Sequence, residues 1–213
     1  MIRPDWFPDW RGQPCAVVAS GPSALATEIH KLRGRCRVIA VNTSYRLAPW
    51  ADALYAGDAR WWDWHRGAPD FPGIKITQSE EAARKYGLHL VHLLDPGHPL
   101  AHSIIMDRPG LIGRGDNGGF QALNLAAQFG GSPILLVGID CAGARWHGKH
   151  PGGNVSQKPS TLAHWARLFD SQAPTFDALG ISVLNCSPLS ALQAYPKVSI
   201  DDAINSELSS SRR

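Results

Sequence analysis

The segment Arg145-Trp146-His147-Gly148-Lys149-His150 is the densest chemical cluster in the sequence. Two histidines three positions apart, with a lysine between them and an arginine ahead, can supply a general base and positive charge to neutralise phosphate. With Asp140 as the carboxylate, the same histidines could instead ligate a metal such as zinc or iron, which wants three protein ligands of defined geometry. A polar surface loop is the third reading. His164 lies further on, in a stretch of helical period, where a histidine commonly just packs.

Two glycine-containing turns could receive an anion. Ser20-Gly21-Pro22-Ser23 follows an apolar run and opens a helical stretch, so Gly21 would let a ligand approach the backbone while the helix offers free N–H groups. It is neither a G-x-G-x-x-G dinucleotide fingerprint nor a Walker loop, which disfavours ordinary NAD binding and P-loop hydrolysis. The second turn is Gly113-Arg114-Gly115-Asp116-Asn117-Gly118-Gly119, directly before a strong helical pattern. Arg114 would add charge there, or Asp116 or Asn117 would simply cap the helix. In Trp61-Trp62-Asp63-Trp64-His65, the aromatic rings could stack on a base or sugar, but their spacing favours packing on a sheet.

These residues need a scaffold, and the hydrophobic pattern supplies one. Short apolar runs alternate with helical stretches, the signature of βα units. Strands are expected at residues 16–19, 37–41, 53–56, 74–77, 90–94, 134–137 and 181–184. Helices are expected from Pro22 to about Leu32, around Trp61, over Gly118 to Phe129 and from about Ser160 to Ala178. Residues 95–114, rich in Pro, Gly and His, read as a loop or mobile lid, and residues 142–159 as a second functional loop. The result is an α/β fold, a single Rossmann-like, mostly parallel sheet flanked by helices. One domain spans 1–208, with a frayed tail at 209–213.

In that fold Ser20-Gly21, Asn42, Asp58, Asp140 and Asn185 each follow a strand, so all fall on the carboxyl edge, where open parallel sheets bind ligands. Turn geometry alone favours such residues singly; five together indicate a site.

Composition narrows the classes of function. The chain has 213 residues, is 44% hydrophobic and 18% charged, and carries a net charge of +3. That suits a globular protein and gives no basic stripe for nucleic acid. No apolar run is long enough to span a membrane and no signal peptide is evident, so a cytoplasmic protein is expected. Cys15, Cys36, Cys141 and Cys186 flank apolar runs with no C-x-x-C pair, as small buried hydrophobes do in a reducing compartment.

The order of the motifs resembles that of a known group. Val17-Val18-Ala19-Ser20-Gly21-Pro22-Ser23 with Val41-Asn42 resembles the opening of Campylobacter-type bacterial sialyltransferases. It also resembles the related domains of motility accessory factors and archaeal hydroxymethyldihydropterin diphosphokinases. Asn117-Gly118-Gly119-Phe120, Leu136-Val137-Gly138-Ile139-Asp140 and Leu184-Asn185-Cys186-Ser187-Pro188 match later blocks in order. Small phage and prophage proteins of this kind are also similar.

The resemblance implies a nucleotide or nucleotide-sugar ligand facing Gly21, Pro22, Ser23 and Asn42. It places Asn117, Gly118 and Gly119 near the phosphate. A histidine would act as base: His147, His150 or, by distance from the last strand, His164. The family's leaving-group tyrosines have no counterpart between Tyr86 and Tyr195, so Lys149 or Arg145 would take their place. Three activities follow as expectations. The first is glycosyl transfer from a nucleotide sugar resembling a CMP-sugar. The second is Mg²⁺-dependent diphosphate transfer, with Asp58, Asp116 or Asp140 holding the metal. The third is nucleotide binding without catalysis.

Overall fold

A computed structural model describes residues 3–150 and 157–210. Its strands are β1 (Cys15–Val18), β2 (Arg37–Val41), β3 (Ala53–Tyr55), β4 (Ile74–Thr77), β5 (His89–Leu90), β6 (His92–Leu93), β7 (Leu111–Ile112), β8 (Ile134–Val137) and β9 (Val183–Asn185). Seven form one sheet in the order β5-β4-β3-β2-β1-β8-β9, and β6 pairs with β7 apart from it. Every pair in the large sheet is parallel. The α/β architecture expected from the sequence is the one found.

The central strands β1, β3 and β8 are buried along their whole length because both faces are covered. Cys15, Val17, Ile39, Val41, Tyr55, Ile134 and Leu136 face one core, closed by α4 (Gly118–Phe129). Ala16, Val18, Val38, Ala40, Leu54, Leu135 and Val137 face the other, with Trp61 and Trp62 of α2 (Ala59–Trp64). Trp61 and Trp62 are therefore packing residues, whereas Trp64, three positions after Trp61, is only partly buried. Cys15 and Cys186 are buried among these apolar side chains, and all four cysteines are free.

Several elements differ from the sequence reading. The helix expected to reach Leu32 is a single turn, α1 (Ser23–Ala26), followed by a separate 3₁₀ turn at Ile29–Leu32. The apolar run at 90–94 divides into β5 and β6, which belong to different sheets. Between β4 and β5 runs an unanticipated helix, α3 (Glu80–Tyr86), bounded by a Ser79 cap and left-handed Gly87. The helix expected at 160–178 is two, α5 (Pro159–Asp170) and α6 (Ala173–Ala178), with Pro174 in the first turn of the second. A last helix, α7 (Ile200–Ser210), occupies the start of the expected frayed tail, whose remainder at 211–213 lies outside the described residues.

Residues 95–114 are fastened rather than free. The buried Asn124 side chain of α4 accepts from the Ile105 and Gly113 N–H groups at 3.0 and 2.9 Å and donates to the Ile105 carbonyl at 2.8 Å. Gln128, one turn on, donates to Ile105 and Leu111 carbonyls and accepts from Gly110 N–H. Ala101, Ile104, Ile105 and Ile112 are buried beneath. This is a strap across α4, not a mobile lid. Among the described residues, no helix is long and apolar enough to cross a membrane.

Candidate functional site

From β1 the chain builds outward through β2 to β5, then returns to lay β8 on the other side of β1. Strand order thus reverses between β1 and β8, and an open parallel sheet leaves a crevice at such a point. The turns after those two strands contribute to it. A cleft of about 360 Å³ opens there, bounded by Ser20, Gly21, Asn42, Asp58, Asp116 to Gly119, Gly138 to Arg145, Trp61, Trp64, His150, Leu162 and Trp165.

At the floor, Asp140 reaches across from β8 to the first turn. Its carboxylate accepts the Ser23 N–H at 3.1 Å and the Ser23 hydroxyl, which in turn accepts the Leu189 N–H at 3.0 Å. Burial raises the Asp140 carboxyl above its ordinary range, and the two Ser23 bonds pull the other way. The expectation that α1 offers its free N–H groups to an anion is corrected here at Ser23. Asp140 already supplies the negative group, and α1 is too short to hold much of a dipole.

The wall formed by α4 behaves differently. Asn117 caps the helix by accepting the Phe120 N–H at 3.0 Å. Gly118 and Gly119 line the cleft, and neither N–H meets an acceptor among the described residues. Two unpaired donors at the N-terminus of a twelve-residue helix make a favourable place for an anion. The Asn42 side chain stands beside them; a Cβ on Gly118 would lie 3.6 Å from its Nδ2. Asn42, Asp116 and Cys141 all border the cleft with left-handed φ values of 51°, 53° and 47°. Such backbone is unfavourable for non-glycine residues and concentrates at functional sites.

The opposite rim is the loop after β8. Trp146 ties it down, its N–H donating to the Ser20 carbonyl at 3.0 Å and its indole N–H to Ser44 Oγ at 3.4 Å. Ser20 and Ser44 hydroxyls bond at 3.1 Å, so the loop rests on the turns after β1 and β2. His150 stacks on Trp64 (5.7 Å, 22°) and approaches His147 at 4.9 Å. Behind them His65 stacks on Trp61 at 4.1 Å and shares a 3.2 Å hydrogen bond with the Tyr45 hydroxyl. Desolvation lowers the pKa of His147 and of His65 to about 4, and lowers that of His150, with nearby Arg145 or Arg46 adding to the effect. Arg145 is half-buried, desolvation lowers its pKa, and among the described residues it has neither a hydrogen-bond acceptor nor an ion-pair partner.

The expected site residues therefore divide. Ser20, Gly21, Asn42, Asp58, Asn117, Gly118, Gly119, Asp140, Arg145 and His150 meet in one cleft. Pro22 and Ser23 do not line it: Ser23 is fully buried as the Asp140 partner. Asn185 is buried away from the cleft. Arg114 points to the Leu94 carbonyl at 3.4 Å and braces the strap. His147 does not line the cleft and has a buried Nε2 with no hydrogen-bond partner among the described residues, and Lys149 is exposed. His164 meets Asp116 at 3.3 Å. Residues 151–156 of the expected functional loop lie outside the described residues. Sequence reading missed Trp165 and Leu162 of α5 as cleft residues, and missed His102, which lies 3.9 Å from Asp116. Helical periodicity on α5 could have flagged the first two; nothing local marked His102.

A magnesium site among Asp58, Asp116 and Asp140 does not fit this geometry. Asp58 caps α2 through the Arg60 N–H, Asp140 is bound to Ser23, and Asp116 faces histidines. Among the described residues, no three His, Cys, Asp or Glu side chains converge to hold a metal ion.

An open, all-parallel sheet with helices on both faces and a cleft at its switch point defines a Rossmann-like α/β domain. The sequence matches no protein-family model and no curated protein. The fold is similar to that of the MAf glycosyltransferase from Magnetospirillum magneticum AMB-1, at 12% identity and a TM-score of 0.58, over 97% of this chain and 40% of that one. This chain thus spans well under half of that protein. It is also similar to the sialyltransferase CstII from Campylobacter jejuni in complex with CMP-3FNeuAc, at 12% identity and a TM-score of 0.50, over 88% of this chain and 86% of that one. Monomeric CstII superposes at a TM-score of 0.54 with 13% identity, again over 88% and 86%. At these identities the similarity establishes the fold.

Proposed function

We propose that this chain is a transferase that takes a glycosyl group from a nucleotide-activated donor, of the CMP-sugar kind, and holds the donor phosphate between α4 and Arg145. One observation carries the reading: the N–H groups of Gly118 and Gly119 and the guanidinium of Arg145, unpaired among the described residues, line the same cleft. A half-buried cation without a carboxylate is uncompensated until an anion arrives. A phosphate bridging the two would meet a helix N-terminus and a fork of donors at once. Asn42, beside Gly118, offers an amide to a sugar or base, and Trp64 and Trp165 offer ring faces.

In such a transfer the protein supplies position and charge. The bond from the donor carbon to the phosphate oxygen breaks, with its electron pair leaving on the phosphate, where Arg145 and the α4 N–H groups stabilise it. The acceptor hydroxyl oxygen bonds to that carbon and gives its proton to an imidazole. The similarity to the glycosyltransferases named above supports this reading at the level of fold, which by itself hosts many activities.

The test is calorimetry and thermal shift with CMP, UDP, GDP and ATP and the corresponding nucleotide sugars, followed by product analysis with acceptors. Selective stabilisation by one nucleotide family, and turnover of its sugar, is the expected result. Binding without turnover of any donor would favour the non-catalytic module, and no nucleotide binding at all would end the proposal.

A further inference from the structure

We infer that Trp165 is the platform for a sugar ring in the cleft, with the Asp116 carboxylate accepting hydrogen bonds from that ring's hydroxyls. The part this ring plays in transfer rests on the transferase reading above; the sugar site itself does not.

The tryptophans sort by what covers them. Of the eight in the chain, Trp10, Trp61 and Trp62 are buried, and Trp6, Trp50 and Trp146 pack against one or other core. Trp64 and Trp165 are partly exposed, belong to neither core among the described residues, and both line the cleft. Trp64 already has a ring on it, since His150 stacks there at 5.7 Å and 22°. Trp165 has no ring contact and no indole hydrogen bond among the described residues. An open indole in a concave site is apolar surface that a ligand, and not the core, covers.

One face of α5 presents it. Leu162, Trp165 and Phe169 lie at i, i+3 and i+7, and all three line the cleft. Phe169 reaches the start of α4, its Cζ lying 3.6 Å from the position of a Cβ on Gly119. Trp165 comes one turn before Phe169, about 6 Å along the helix axis. Asp116 joins this wall to the turn before α4, its Oδ2 lying 3.3 Å from Nε2 of His164, the residue before Trp165. The other carboxylate oxygen, Oδ1, has no partner among the described residues, and Asp116 lines the cleft.

These groups fit a pyranose. Its C–H faces are apolar and cover an indole and a leucine, while its rim of hydroxyls donates to a carboxylate. Asp116 repels a phosphate from the same place, which leaves the phosphate to Arg145 and the α4 N–H groups. A nucleobase has few N–H donors for a carboxylate and suits the other wall, where Asn42 and Trp64 line the cleft. The sugar ring has two sources, the transferred group of the donor and the acceptor.

Saturation-transfer NMR of the whole protein with methyl β-glucoside, methyl β-galactoside and methyl N-acetyl-β-glucosaminide, with and without CMP, tests the platform. At least one glycoside should receive saturation, chiefly on the C–H protons of one face. Trp165→Ala should abolish that signal and Trp165→Phe should keep part of it. Trp165 lies outside both cores, so both variants should fold as wild type by circular dichroism. With the nucleotide sugar that wild type binds, calorimetry and kinetics separate the two sources. If the donor's sugar lies on Trp165, Trp165→Ala weakens the nucleotide sugar by roughly tenfold and leaves the bare nucleotide within about twofold. If the acceptor lies there, donor affinity holds and the acceptor KM rises by a similar factor. No saturation of any glycoside by wild type, or an equal signal in folded Trp165→Ala, overturns the inference. Failure of wild type to bind CMP or any other nucleotide overturns the transferase reading instead, and the glycoside spectra still decide the platform.

Discussion

Gly21 has no side chain because the carboxylate of Asp140 occupies the space one would take. A Cβ built there would overlap that carboxylate and would also lie 2.6 Å from the Gly138 carbonyl oxygen, which accepts the Gly21 N–H at 2.8 Å. The turns after β1 and β8 are thus clasped together at the point where strand order reverses. The glycine that suggested phosphate approach serves first to let two loops meet, and the ligand surface is what remains above them.

Gly21→Ala should therefore destabilise the protein even without ligand. Overpacking of this kind costs about 1–3 kcal/mol, and the loss should appear as a lower urea midpoint with an unchanged slope. Removing the carboxylate as well, in Gly21→Ala with Asp140→Gly, should recover only part of it, because the Gly138 carbonyl is backbone and stays. Full recovery in the double variant would show that the side chain alone set the constraint.

Arg145→Ala should weaken nucleotide binding by roughly tenfold to a hundredfold, the range for losing a hydrogen bond to a charged group. Stability without ligand should hold or rise slightly, since the guanidinium is half-buried and has no partner to lose among the described residues. Arg145→Lys should restore part of the affinity, as a point charge without the fork. Calorimetry with the nucleotide that stabilises wild type measures both. Equal affinity in Arg145→Ala would remove the residue from the phosphate site.

Much of the fold was legible because parallel strands are buried on both faces and read as plain apolar runs. Arg37–Val41, Ile74–Thr77, Ile134–Val137 and the helix Gly118–Phe129 have the bounds the sequence indicated. The carboxyl-edge cluster was legible for the same reason, since the ends of β1, β2, β3 and β8 lead into cleft residues, although Asn185 at the end of β9 does not reach the cleft. What escaped lay in long-range pairing. Ser79, Glu80, Glu81, Arg84, Lys85 and Gly87 spell out the caps and charges of α3, but a seven-residue helix carries too little periodicity to stand out. The strap at 95–114 was invisible because its order comes from Asn124 and Gln128, polar residues on a helix otherwise read by its apolar face. His102 and Asp116 meet only through tertiary folding.

Acid should destabilise the protein through its half-buried histidines. The folded-state pKa of His65 and of His147 lies near 4, below the ordinary value of 6.5. In that interval the unfolded chain binds more protons, so stability falls as pH falls. Their contribution is complete above pH about 6.5 and is lost progressively toward pH 4. Both rings are partly exposed, so solvent screening moderates the effect. Tm measured from pH 7 to 4 should decline, and His147→Gln should flatten the decline in that window. A slope unchanged in His147→Gln would remove His147 from the acid response and leave it to His65 and the carboxylates.

The strap offers the last prediction, because one side chain holds both its middle and its C-terminal end. Asn124→Ala leaves the Ile105 and Gly113 N–H groups without their acceptor and the Ile105 carbonyl without one donor, all in a buried place. Each stranded buried group costs about 1–3 kcal/mol unless water reaches it. Gln128 still holds the Ile105 and Leu111 carbonyls, so the strap should loosen at Gly113 more than at Leu111. Gly113 begins the turn that carries Asp116 and delivers Gly118 and Gly119 to the cleft, so the loosening should reach the site. Hydrogen exchange should accelerate at Ile105 and at 113–117, and nucleotide affinity should fall although Asn124 does not itself line the cleft. Slow exchange at Gly113 in Asn124→Ala would show that the turn is held from the other side, through the Gln121 side chain on the Arg114 carbonyl at 2.8 Å.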